Sequence, residues 1–295
     1  MTASLTATQA AQFREQGYLA PVPALSTRES AELLALLNEA QTRPGPARDR
    51  EYYKPHLVYP WLCALVSHPA ILDAVESLLG PDLFVWGSAF FIKNPGDPKV
   101  IHWHQDSVHY GLEPEEAVTA WVALADSTAE NGCLRVIPGS HRAGTVNHDA
   151  LDSHPGTLFR GAVARGADAA RAVDLELRAG QMSLHHLCTI HGSRGNPSAR
   201  RRVGYAIRYV PAHVRHVGHE DSALLVRGRD PYGHFLPEQP PLGEDDPGTR
   251  ARYEEAMARR EKLIFTSRAY LVPPDAAAPA APARGAALGS NTRIR

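Results

Sequence analysis

The sequence predicts a mainly β protein with flanking helices, its core a jelly roll. Two observations carry this. From about residue 83 onward, short apolar runs alternate with turns rich in Gly and Pro, the pattern of a sandwich or barrel. Helical spacing of apolar residues is confined to the first eighty residues and to a charged stretch over 250–262. At 295 residues the chain can bury about three quarters of its unfolded surface, and barrels of this size often remain one domain. One domain is expected over 1–272, followed by an Ala/Pro-rich, disordered tail over 273–295.

The elements follow in order. Residues 6–17 read as a short helix, capped by a threonine and stopped by Gly17. Residues 18–22 form a first strand. Ser26 or Thr27 caps a second helix through Leu33, Leu34, Leu36 and Leu37, which ends before Pro44. A third helix spans 68–79, with Gly80 and Pro81 as its stop. Strands are expected over 83–86 and 89–92, around 100–104, over 118–124 (apolar enough to be buried on both faces), 133–137, 173–177 and 203–210. Residues 144–168 read as a loop-rich insert, and the polar stretch after Pro211 as a segment that could fold over the barrel mouth. The jelly roll so assembled is cupin-like.

Composition excludes several functions. The formal net charge is −1 and the sequence pI about 7.0, which argues against nucleic acid or an anionic membrane as a partner reached by bulk electrostatics. Three cysteines without a Cys-x-x-Cys pair make neither a disulfide framework nor a zinc ribbon. No signal peptide or transmembrane run is evident, so a cytoplasmic enzyme is expected.

The chemistry concentrates in Val100–Tyr110, which places His102, His104, Asp106 and His109 within eleven residues. His104 and Asp106, two apart, share one face of a strand. If the chain bends after His104, imidazole and carboxylate can converge on one ion. A further histidine would complete a 2-His-1-carboxylate facial triad, characteristic of non-haem Fe(II) oxygenases. A lone His-x-Asp is common by chance; the second half of the constellation, His191-Gly192-Ser193, supplies the third ligand. Eleven residues on, Arg202 opens an apolar run, and a guanidinium anchored on a strand can hold a carboxylate bidentately. A co-substrate with one carboxylate near iron and another on an arginine has the form of 2-oxoglutarate.

Trp103-His104-Gln105-Asp106, the run from Asn131 to His141, and His191-Gly192-Ser193 together resemble the phytanoyl-CoA dioxygenase family, from about Leu5 to about Tyr270. The resemblance implies a double-stranded β-helix and Fe(II)- and 2-oxoglutarate-dependent oxygenation with O2 as second co-substrate. It implies His104, Asp106 and His191 as iron ligands, and Arg202 with Ser193 as the clamp on the distal carboxylate of 2-oxoglutarate. It further implies that Trp121 and Phe90 line the co-substrate pocket and that Lys54 contacts 2-oxoglutarate. In halogenases that resemble this family the carboxylate is Ala or Gly, so Asp106 favours hydroxylation.

The other histidines have plainer readings. His102 lies roughly 13 Å from Asp106 along a regular strand, too far to share an ion with it, so it competes only with His104. One of His185 and His186 packs near the iron or points into the sheet. His109 and Tyr110 face substrate or pack a loop. Arg208, six residues beyond Arg202 on the same face, is a substrate-carboxylate partner or a salt-bridged residue. The expected activity is oxidation of an aliphatic C–H bond in a small molecule, with succinate and CO2 released. The alternatives are a non-catalytic metal-binding cupin module and a metal dioxygenase independent of 2-oxoglutarate; an intact Arg202 tells against both.

Overall fold

In a computed structural model, the described residues are 4–43, 53–150, 162–218, 220–266 and 271–272. The tail over 273–295 and part of the insert over 144–168 lie outside them.

Helix α1 (Ala7–Gln16) begins at a capping box between Thr6 and Gln9 and ends at Gly17, φ 77°. Helix α2 (Thr27–Thr42) begins at a second box, Ser26 with Glu29. Helices α3 (Pro60–Val66) and α4 (Pro69–Leu79) both start on a proline, whose missing N–H is no loss in a first turn. Helix α3 is too short to show a period in the sequence and was not expected there. No single helix among the described residues is long and apolar enough to cross a membrane.

Eleven of the strands form two facing, mainly antiparallel sheets, a double-stranded β-helix. In chain order they are β1 (Tyr18–Pro23), β2 (Leu83–Lys93), β3 (Ile101–His104), β4 (Val118–Ala123), β5 (Leu134–Val136) and β6 (Val173–Leu175). Then come β7 (Gln181–His186), β8 (His191–Ser193), β9 (Arg202–Pro211), β10 (Ser222–Arg227) and β11 (Leu236–Pro237). The larger sheet is seven-stranded, in the order β1-β7-β4-β9-β2-β10-β11, and antiparallel except for the last pair. The smaller is four-stranded, in the order β3-β8-β5-β6.

Two expectations need correction. Residues 83–86 and 89–92 are not two strands: β2 runs unbroken to Lys93, because Gly87 is no turn. The Tyr53 hydroxyl fills the space a side chain would take there, 2.2 Å from an ideal Cβ. And the segment after Pro211 does not simply fold over the mouth, since β10 adds to the edge of the larger sheet with Leu224 opposite Val85.

The pleat divides the larger sheet's side chains between two environments. Val118, Ala120 and Val122 of β4, Met182 and Leu184 of β7, and Val203, Tyr205, Ile207 and Tyr209 of β9 pack with Phe13, Leu37, Leu62, Val66, Ile71 and Val75 from the helices. The opposite face looks onto the smaller sheet and forms the floor of a cavity.

Candidate active site

The cavity between the sheets measures about 520 Å³, its open mouth included. Its floor is laid in cross-strand rows. Arg208, Thr119 and His185 form one row, Ala206, Trp121 and Ser183 the next, and Arg202 pairs with Lys93 further along. Its roof comes from Ile101, His104, Leu134, His191 and Ser193.

The expected bend occurs. Strand β3 ends at His104, and Asp106 is already helical (φ −63°, ψ −32°), at the head of the one-turn helix α5 (Ser107–Tyr110). Strand β8 lies antiparallel beside β3 with His191 directly opposite His104. One ligand atom from each of His104, Asp106 and His191 lies within 4.8 Å of the others. Asp106 Oδ1 stands 3.9 Å from His104 Nε2 and 4.0 Å from His191 Nε2.

Second contacts fix the donors. His104 Nδ1 lies 2.8 Å from the His102 carbonyl and His191 Nδ1 2.9 Å from that of Thr189. Only Nδ1–H can donate to a carbonyl, so each Nε2 keeps its lone pair for the cavity. Thr119 Oγ1 donates to Asp106 Oδ2 at 3.3 Å, and His185 Nε2 lies 4.0 Å from the same oxygen. Burial, reinforced by the His191 ring, holds His104 down to about 3. Burial, then its neighbour His185, holds His191 at about 4. Burial alone would raise the Asp106 carboxyl, but His191, Arg208 and His104 outweigh it and keep it below the usual carboxylate range. Two neutral imidazoles and one ionised carboxylate therefore face one point, and three donors leave further coordination positions open to ligands, which suits Fe(II).

Arg202, Ser193 and Trp121 line the same cavity. Arg202 is 1% exposed; Nη1 donates to the Gly132 carbonyl, Nη2 lies 3.5 Å from that of Phe91, and Nε is buried without a partner. Burial lowers its pKa to about 10, still cationic at neutral pH. The Trp121 ring centroid lies 5.4 Å from the guanidinium carbon. The indole has its place because position 204 is glycine: an ideal Cβ there would stand 1.8 Å from Trp121 Cζ2.

Two expected residues lie elsewhere. Phe90 pairs with Tyr205 on the helix-facing side of the sheet, its ring 4.6 Å from that tyrosine's, and Phe91 lines the cavity instead. The doublet carries no alternation, so only register assigns its faces. Lys54 does not line the cavity: its Nζ is held by the Ser222 carbonyl and by Glu238, both near the sheet's far edge. His102 is exposed. His186 packs against His141, which leaves His185 as the one of that pair beside Asp106. Among the described residues, Cys63, Cys133 and Cys188 are free thiols.

One residue escaped the sequence reading. Lys93, fully buried, donates from Nζ to Ser193 Oγ at 2.8 Å and to the Arg194 carbonyl, and it sits opposite Arg202 in the ladder. Burial, then Arg202, lowers its pKa to about 7. At the end of an apolar run it reads as a solvated strand terminus. It shares its face with Phe91, which the sequence does not assign.

A family model described as phytanoyl-CoA dioxygenase matches residues 13–204. A probable alpha-ketoglutarate-dependent hypophosphite dioxygenase of Stutzerimonas stutzeri is 26% identical over 241 residues, 68% of this chain and 78% of that protein. Among solved structures, the apo form of the non-haem monooxygenase ThoJ is similar with a TM-score of 0.79 at 40% identity, covering 88% of this chain and 98% of that one. The non-haem alpha-ketoglutarate-dependent carbocyclase SnoK from nogalamycin biosynthesis follows at 0.59 and 26%, covering 83% and 96%.

Proposed function

The chain belongs to the phytanoyl-CoA dioxygenase family of non-haem Fe(II)- and 2-oxoglutarate-dependent oxygenases, and from that premise we propose that it oxidises an aliphatic C–H bond of a small molecule of specialised metabolism. Hydroxylation is the outcome, with succinate and CO2 released. The observation that carries the reading is a complete His104, Asp106 and His191 set sharing one cavity with Arg202 and Ser193. SnoK, a relative by structure, acts in the biosynthesis of a natural product, which supports the substrate class.

When bound, iron with 2-oxoglutarate and O2 supplies the oxidising power that breaks the substrate's C–H bond as the keto acid decarboxylates. The chain's residues do the rest. His104 and His191 hold Nε2 towards the metal through their Nδ1 hydrogen bonds to backbone carbonyls. Asp106 adds one negative charge, its second oxygen fixed by Thr119, and so occupies the position that halogenases resembling the family leave open. Arg202 receives the distal carboxylate of 2-oxoglutarate. Ser193, accepting a hydrogen bond from Lys93, keeps its own hydroxyl proton to donate to that carboxylate. Trp121, Phe91 and Leu134 wall the cavity with apolar surface and exclude water.

Succinate formation from 2-oxoglutarate under air, with Fe(II) and ascorbate, tests this in the wild type, Asp106→Ala and Arg202→Ala. Iron-dependent succinate in the wild type, lost in both variants, is expected. Absence of succinate together with absence of 2-oxoglutarate binding by the iron-loaded anaerobic protein would overturn the co-substrate assignment.

A further inference from the structure

The co-substrate accounts for Arg202, but nothing in that reading uses the cavity's second guanidinium. Arg208 is 6% exposed and lines the cavity with the proposed metal ligands. Its Nε donates to the Tyr110 hydroxyl at 2.5 Å, whereas Nη1 is buried with no hydrogen-bond partner. Among the described residues no salt bridge to it is found. The rings of Tyr53, Phe91 and Tyr110 surround its guanidinium carbon at 5.8–5.9 Å. A guanidinium stays protonated and offers five donors. Asp106 opposes its charge without a salt bridge, but Nη1 still has no acceptor, and a buried donor left unpaired is costly unless a ligand supplies one.

Its position separates it from the 2-oxoglutarate clamp. Six residues of strand put the Cα atoms of Arg202 and Arg208 about 20 Å apart, a span beyond a five-carbon diacid. Arg208 shares its cross-strand row with Thr119 and His185, the two residues beside Asp106 Oδ2. It therefore stands at the metal end of the cavity.

We propose that Arg208 receives an oxyanion, a carboxylate or phosphate, carried by the primary substrate. This rests on the oxygenase reading and narrows it: the substrate is an anionic small molecule, and the carbon oxidised lies only a few bonds from its anionic group.

The test uses iron-loaded anaerobic protein saturated with 2-oxoglutarate, so that Arg202 and the metal's co-substrate positions are filled. Propionate, methylphosphonate and uncharged propionamide are titrated and read by ligand-observed NMR, with iron-enhanced relaxation reporting proximity to the metal. At least one oxyanion is expected to bind near iron at least tenfold more tightly than propionamide, and which one does so separates carboxylate from phosphate. Arg208→Met should weaken that binding at least tenfold, the size of one charge-assisted hydrogen bond, with 2-oxoglutarate affinity within threefold of wild type. Arg208→Lys should recover part of it. Equal binding of propionamide, or undiminished anion binding by Arg208→Met, overturns the proposal. So does a variant that folds but loses iron or 2-oxoglutarate along with the anion, which would make Arg208 a counter-charge for Asp106. Failure of the wild type to bind 2-oxoglutarate sinks the co-substrate reading instead, and the same titration with iron alone then decides Arg208.

Discussion

Replacing Gly204 with alanine adds one methyl group where the Trp121 indole already sits. The added carbon would stand 1.8 Å from Cζ2 and 2.3 Å from Cε2 and Cη2. Carbon atoms settle at about 3.5–4 Å, so the indole must move by about 2 Å or the two strands must part. Such overpacking costs about 1–3 kcal/mol. For a chain of this size each kcal/mol lowers the melting temperature by about 2–4 °C, so a drop of roughly 2–12 °C is expected. The second effect is local. The indole lies beneath Arg202, so its displacement should weaken 2-oxoglutarate binding at least tenfold while iron binding persists. Thermal melts and anaerobic titrations with 2-oxoglutarate read the two effects separately. Adding Trp121→Phe, whose smaller ring withdraws the clashing edge, should restore most of the lost melting temperature. A Gly204→Ala protein with wild-type stability and affinity would refute the wedged placement of Trp121 and the coupling drawn from it.

Three further outcomes are expected. Burial first, then a neighbouring ring for His104 and His191 and the Arg208 guanidinium for His185, hold His104 at about 3 and His185 and His191 at about 4, well below the unfolded value of about 6.5. The unfolded chain binds more protons below that value, so the metal-free protein should lose stability as pH falls from about 6.5 towards 4. Urea denaturation at pH 7.5 and pH 5 checks this, and equal midpoints would contradict the buried neutral imidazoles. Lys93→Met should raise the dissociation constant of 2-oxoglutarate about tenfold by freeing Ser193, with iron affinity unchanged. Because Lys93 titrates near 7, wild-type affinity should fall as pH rises from 6 to 8 while the variant's stays flat; parallel profiles would remove Lys93 from the clamp.

The candidate metal site was legible because three imidazoles and a carboxylate in one short run have few structural uses, and because Asp106 follows His104 at the spacing a bend can exploit. Helices α1 and α2 were legible through their capping residues, Thr6 with Gln9 and Ser26 with Glu29. What stayed hidden was parity. Phe90 and Phe91, like His185 and His186, are adjacent residues of one type, and only pairing with Tyr205 or Gly204, and with Thr119 or Val118, assigns each to a face. The same ambiguity concealed Lys93, which shares a face with Phe91. Lys54 failed for a different reason. Its partner Glu238 lies 184 residues away, and nothing local announces so distant an ion pair.

Strand β9 is buried along its whole length, yet its first eight residues divide into two sets. Val203, Tyr205, Ile207 and Tyr209 join the sheet to the helices, two of them with hydroxyls bound to Ser88 and the Val66 carbonyl. Arg202, Gly204, Ala206 and Arg208 face the chemistry. Scaffold and cavity wall thus occupy alternate positions of one segment, and within the second set Ala206 alone neither carries a charge nor leaves the space that the Trp121 indole fills. For anyone seeking a new substrate, Ala206 is the place to begin: it lines the cavity, and the residues on either side of it already hold the scaffold upright.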